Sequence, residues 1–271
     1  MYSDPLLRYS WFPEAENLYL LHAHEVFYSF VFYQVISSFI APVINKWMFG
    51  KNYTSITDKK TKVDFDIHTV SMVQCILSLI LLAPVLFLPL SLNIVTFQDP
   101  FCSLVGALTI GYFVWDLFAC IRYYNLYGIQ FLVHALVSLY VFGLTLKPFC
   151  QTWIGKFLIF EASTPFVNIN WYIIQLRKAS PEGKSIVPMW FNVLNGVLLL
   201  VIFFVVRIVW GFSAIIILVR EMWKVRDELP LFESFTSVSL NFVLDILNLL
   251  WFQKMIKIAI KMATTSKPHD T

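Results

Sequence analysis

Residues 157–176 read FLIFEASTPFVNINWYIIQL. The stretch is apolar enough to lie in a bilayer, yet it carries Glu161, Ser163, Thr164, Pro165, Asn168 and Asn170. A carboxylate among lipid tails is costly unless it is paired, protonated or facing water, so Glu161 marks a protein interior. Pro165 lacks a backbone donor, so the carbonyl of Glu161 loses its helical partner. Ser163 and Thr164 can satisfy such freed groups locally, as broken transmembrane helices require. Two readings stay open: a kinked packing helix whose polar groups bond to neighbouring helices, or the wall of a ligand cavity.

The rest of the chain fits a membrane solvent. Of 271 residues, 58% are hydrophobic and 14% charged, against about 25% charged in soluble domains. The mean hydropathy is +0.70. The apolar runs lack period-2 alternation, which favours helices over an outer-membrane barrel. The expectation is an all-α polytopic membrane protein of about seven transmembrane helices. The spans fall near residues 26–48, 67–90, 103–123, 130–146, 157–176, 190–219 and 234–252. The sixth is unusually long, which implies tilt or an interfacial extension. Three parts follow: residues 1–60 with the first transmembrane helix and a cytosolic loop, a membrane domain over 61–262, and a tail over 263–271. The first 24 residues lack the pattern of a cleavable signal peptide, so the first span serves as the targeting signal. No internal repeat of 20–50 residues is visible.

Charge sets orientation. Arg207 lies within a span; the other nineteen Lys and Arg divide thirteen to six between the two sides. The six are Arg8, Lys147, Lys156, Arg220, Lys224 and Arg226. The positive-inside rule then puts the C-terminus in the cytosol. Cys102 and Cys150 share the lumenal side, where packing as small apolar residues is favoured over a disulfide. The four cysteines form no CxxC and have no zinc-type histidine spacing, so no metal site and no cofactor are expected. No basic run of the kind that grips phosphates is present, which excludes nucleic acid as a partner.

Ionisable groups inside the spans nominate the site. Besides Glu161 these are Asp116, His134, Arg207 and Asp245. Counted from the loop between spans 3 and 4, Asp116 and His134 lie within one helical turn of each other in depth, so a carboxylate–imidazole contact is feasible. Glu161 and Arg207 fall at similar depth on adjacent antiparallel spans and are expected to pair as buried ions. Asn241, Asp245 and Asn248 share one helix face. A common interior holding Asp116, His134 and Asp245 is expected, with Asn168 contributing to its polar wall.

The segments GYFVWDLFACIRYY, FLVHALVSLYVF, EASTPFVNINWYI, FNVLNGVLLLVIFFVVRIVW and VLDILNLLWFQKMIK together resemble successive signatures of TLC-domain (TRAM/Lag/CLN) membrane proteins, closest to the small fungal and animal members. The resemblance implies six helices (spans 2–7) bundled around a central lipid-accommodating cavity, an endoplasmic-reticulum membrane and a role in lipid metabolism, sensing or trafficking. Asp116, Glu161 and Arg207 match the family pattern. His134 is the remaining half of a histidine pair that here reads His134-Ala135. No histidine lies between Ala135 and Pro268, so the downstream His-Asp pair of ceramide synthases is absent, which argues against sphingoid-base N-acylation. The functional expectations are, first, a non-catalytic protein that binds or senses a membrane lipid or acyl chain. Second is a lipid acyltransferase in which His134 attacks or deprotonates, Asp116 orients its ring and acyl-CoA is the donor. Third is a receptor for membrane cargo. Self-association or a membrane-protein partner is compatible with each.

Overall fold

The structure, a computed structural model, describes residues 3–147, 149–180 and 187–265, with side chains to 261. The turn expected around Pro181 and Gly183, and most of the 263–271 tail, lie outside these residues. Among them there are helices and turns and no strand.

Six helices are long and apolar enough to cross a membrane: α1 (Ala23–Phe49), α2 (Lys59–Leu82), α3 (Pro100–Arg122), α4 (Tyr124–Leu146), α6 (Met189–Lys224) and α7, whose helical residues run Leu231–Thr265. Between α4 and α6 runs a seventh, broken helix, α5 (residues 154–179). It consists of an α-turn Ile154–Leu158, a 3-10 stretch Ile159–Ser163 and an α-helix Thr164–Ala179. The break sits where Pro165 removes the donor for the carbonyl of Glu161, as the sequence requires.

Contacts along α2 show that α5 runs with the others. Trp171 stacks on His68 with ring centroids 3.9 Å apart, and Asn168 Nδ2 donates to Ser71 Oγ at 3.1 Å. At the far end Gly155 lies so close to the loop beyond α2 that a Cβ there would come within 2.5 Å of the Val85 carbonyl. α5 thus runs antiparallel beside α2 from Phe65 to the loop beyond Leu82, a seventh member of the bundle alongside the six long apolar helices. α1 begins at one end of the bundle and α7 finishes at the other. One end collects Lys46, Lys51, Lys59, Lys60, Lys62 and Arg122; we call it the lysine-rich end.

Helix boundaries depart from the sequence reading mainly at α2, which begins at Lys59, and at α7, which runs on to Thr265. The second span was expected to reach residue 90, but α2 stops at Leu82. Pro84 cannot donate to the ladder, and Pro89 follows. Residues 83–99 form instead a folded loop capping the end opposite the lysines, with Val85 and Ile94 buried. Lys156 Nζ donates to the Leu88 carbonyl at 2.9 Å, and Cys150 N to the Ile94 carbonyl at 2.8 Å. The fourth span was expected to begin near residue 130, and the unbroken part of α4 does begin at Ile129: residues 124–127 form a separate turn before Gly128, whose φ of 68° only glycine adopts at no steric cost.

Two helices contain π-turns. In α1 the π-turn is Ile36–Ile40, followed by Pro42, which leaves the Ser38 carbonyl without its usual donor. In α6 it is Phe204–Val209 and carries Arg207. At 36 residues α6 measures about 54 Å, nearly twice the roughly 30 Å hydrocarbon core. The core is aromatic and aliphatic and gathers α1, α3 and the start of α5; Trp115, Phe149 and Ile154 are almost wholly enclosed. All four cysteines are free and buried, so Cys102 and Cys150 are packed and unpaired.

Candidate functional site

A small pocket opens inside the bundle. Its polar lining comes from α2 (Gln74), α4 (His134, Ser138), α5 (Glu161), α6 (Arg207) and α7 (Asn241, Asn248). Phe113, Phe142, Phe157 and Leu244 supply the apolar wall. The break in α5 places Glu161 here: a 3-10 turn rather than an α-turn precedes Thr164, and the carboxylate faces the pocket.

Arg207 is held on neutral groups. Its Nε donates to Ser163 Oγ at 2.8 Å, one terminal nitrogen to Asn248 Oδ1 at 3.3 Å, and the other to Thr164 Oγ1 at 3.3 Å. The guanidinium also lies 5.3 Å from the ring centre of Phe203. The expected ion pair with Glu161 is not made among the described residues. Ser163 and Thr164, the hydroxyls that flank the break, take the donors instead, and Glu161 stands across the same pocket. Glu161 and His134 make no hydrogen bond among the described residues. His134 is wedged edge-on between Phe113 and Trp251, at centroid distances of 6.3 and 5.4 Å.

Three expected members of the site are not among the residues that line this pocket. Asp116 is half-buried on α3, outside the pocket lining, and makes no hydrogen bond or ion pair with His134 among the described residues. The imidazole packs instead against the ring of Phe113, three residues before Asp116 on α3. Asp245 turns to the α6–α7 contact: a Cβ on Gly211 would come within 2.6 Å of its Oδ1. Its Oδ2 is buried with no hydrogen bond. Asn168 belongs to the α2–α5 seam nearer the lysine-rich end, bonded to Ser71 and, through Oδ1, to His68 Nδ1 at 2.8 Å. Thus His134, Glu161, Arg207, Asn241 and Asn248 meet in one pocket, and Asp116, Asp245 and Asn168 do not line it.

Sequence reasoning missed Gln74 and Ser138. Gln74 is buried; Tyr33 OH donates to its Oε1, and its Nε2 donates to Ser78 Oγ at 2.7 Å. Gln74 and Ser78 sit one turn apart inside an apolar helix, the same signal that marked Asn241 and Asn248. A second, smaller and mostly apolar pocket shares Val141, Phe142 and Phe157 with the first and is bounded by Cys150 and Trp153.

The TLC domain family profile matches residues 64–257, most of the chain and every pocket-lining residue. The chain belongs to the TLC-domain family. It is 53% identical over 269 residues to "Topoisomerase I damage affected protein 4" of Saccharomyces cerevisiae, covering 99% of this chain and 94% of that protein. An uncharacterized TLC domain-containing protein of Schizosaccharomyces pombe is 33% identical, over 87% of this chain and 78% of its own length. "TLC domain-containing protein 4" of Homo sapiens is 33% identical over 168 residues, 58% of each chain. No solved structure matches. With the family and six helices long and apolar enough to cross a membrane, the protein is a multi-pass membrane protein, and α2–α7 make up its TLC domain.

Proposed function

We propose that this TLC-domain protein binds a membrane lipid or free acyl chain in the bundle pocket and acts in membrane lipid homeostasis. One observation carries the reading: unbonded Glu161 and His134, with Arg207 beside them, adjoin an apolar space toward Cys150 and Trp153. Glu161 and His134 are half-buried and make no hydrogen bond among the described residues, so their polar atoms are free to meet a ligand that brings polar partners of its own. An apolar extension beside a few convergent polar groups suits a molecule with a headgroup and a tail. We place the protein in the endoplasmic-reticulum membrane with its lysine-rich end in the cytosol, in line with the charge bias.

The test is mass spectrometry of lipid retained by the purified protein, compared with Ser138→Phe. Ser138 lines the pocket and is buried, so a phenyl ring there fills the space. The expected result is a defined lipid on the native protein and its loss from a variant that still elutes as a folded species. Equal lipid content in both overturns the pocket as the binding site. The acyltransferase reading retains one supporting feature, an unbonded imidazole in the pocket. It lacks the orienting carboxylate, since Asp116 makes no hydrogen bond to His134 among the described residues.

A further inference from the structure

The N-terminal segment, outside the TLC domain, builds a separate polar centre at the end of the bundle opposite the lysines. His22, His24 and Glu25 begin α1, and Asp4 folds back onto them across eighteen residues of chain. The side chains of Asp4 and Glu25 are 0% exposed and that of His22 is 2% exposed. His22 Nδ1 lies 2.9 Å from Glu25 Oε2 and 3.6 Å from Asp4 Oδ2. One ligand-type atom from each of Asp4, His22 and Glu25 falls within 4.8 Å of the others.

Two carboxylates are thus enclosed with imidazoles as their nearest cationic candidates; no Lys or Arg is bonded to them among the described residues. Buried charges are normally paired or bound to metal. Asp4 Oδ2, Glu25 Oε1 and His24 Nδ1 are all buried without a hydrogen bond. The orientation of Asp4 is fixed from its other side, since Oδ1 accepts from Leu6 N at 2.8 Å and Leu7 N at 3.1 Å, just ahead of the 3-10 turn Leu7–Tyr9. That leaves Oδ2 aimed at His22. His24 Nε2, 3.0 Å from the Leu6 carbonyl and 3.5 Å from Glu25 Oε1, braces the cluster from behind.

We propose that Asp4, His22 and Glu25 bind one divalent transition-metal ion of the zinc class. Imidazole and carboxylate together suit zinc, whereas calcium and magnesium take oxygen donors. Bonds of about 2.0–2.2 Å in tetrahedral array set donors roughly 3.3–3.5 Å apart, so the 2.9 Å contact opens by about half an ångström and the 3.6 Å contact barely moves. Three protein ligands leave a fourth position for water or a further donor. The ion would rivet residues 4–10 to the start of α1. The same strap is held by Ser10 Oγ donating to the Leu21 carbonyl at 2.6 Å and by Trp11 against Phe27 and Tyr28. The cysteine and histidine spacings in the sequence gave no sign of this site, because its ligands come from both ends of the N-terminal segment.

The test uses the full chain in detergent, loaded with zinc, desalted and analysed for metal by mass spectrometry. The expected result is about one zinc per chain, with loss of at least tenfold in occupancy for Asp4→Asn and for His22→Gln, and no loss for His68→Gln. Substoichiometric zinc on the native chain, or zinc unaffected by both variants, overturns the proposal. Should the variants fail to fold, cobalt loading of the native chain decides. Intense visible bands of a four-coordinate ion support the site, and the weak spectrum of hydrated cobalt overturns it.

Discussion

Arg207 on α6 and Ser163 on α5 meet through a hydrogen bond of 2.8 Å from Nε to Oγ, at the point where Pro165 breaks the helix. The cation of the pocket is therefore held on the hydroxyl that the break presents, and the carboxylate one turn away is left to face the cavity.

It follows that Arg207 is coupled to Ser163 more strongly than to Glu161. Ser163→Ala is expected to cost about 1.5–3 kcal/mol, the range for a hydrogen bond to a charged group. In a double-mutant cycle on detergent melts, Arg207→Met with Ser163→Ala should show an interaction of roughly 0.5–3 kcal/mol. A larger coupling between Arg207 and Glu161 would restore the ion pair that the geometry lacks.

Close helix approaches give a second prediction. Gly211→Ala drives a methyl to within 2.6 Å of Asp245 Oδ1, and is expected to destabilise by about 1–3 kcal/mol. The obstacle is a side chain, so Asp245→Ala in the same chain should recover most of the loss. Gly111→Ala meets the Val26 carbonyl at 2.5 Å and the Ser29 side chain as well. Backbone cannot step aside, so Ser29→Ala should rescue it poorly. Equal rescue at both sites would mean that the two contacts do not differ in the way described.

Acid should loosen the start of α2. Asp58 caps this helix, accepting from Thr61 N at 2.9 Å and Thr61 Oγ1 at 2.6 Å. Those hydrogen bonds hold its carboxyl below the usual carboxylate range. A folded-state pKa below the unfolded value gives stabilisation that is present above the unfolded pKa and lost as pH falls through the folded one. Amide-exchange protection at Lys60 and Thr61 should therefore drop on acidification, and Asp58→Asn should make it independent of pH. Protection in the native chain that stays level through the acid range would remove Asp58 as the cause.

For His134 the expected outcome is lipid retention without turnover. Native protein given acyl-CoA and candidate acceptors should release no free CoA above a buffer blank, and His134→Ala should keep its bound lipid. CoA release by the native chain that vanishes in His134→Ala would turn the pocket into an acyltransferase site.

The fold was legible where composition and proline act alone. Apolar runs fixed the crossings, and Pro165 located the break in α5. Pro84 carried the same information about α2, but the apolar residues around it masked the stop. The site was legible only in part, because depth along a helix does not say which neighbour a side chain meets. His134 was expected to meet Asp116, yet its ring lies edge-on to Phe113 and Trp251. Facing depends on neighbours: Asp245 and Asn248 share a helix face, yet the missing side chain of Gly211 draws Asp245 out of the pocket. Nothing in the sequence near Asp245 points to a glycine on another helix.

The π-turn of α6 has a consequence for how this helix tolerates changes in length. Its buried residues recur at Asn195, Leu199, Phe203, Arg207 and Gly211, every fourth position. Over those sixteen residues a regular α-helix would rotate Gly211 roughly 160° away from Asn195. The wide turn takes up about 100° of that, so both halves of α6 face the bundle. In this respect the helix carries one residue more than its faces need. Deleting Val205 should close the turn into ordinary helix with Asn195 and Gly211 still inward, displacing only the arginine. Adding one residue at the same place should rotate half of the helix into the lipid.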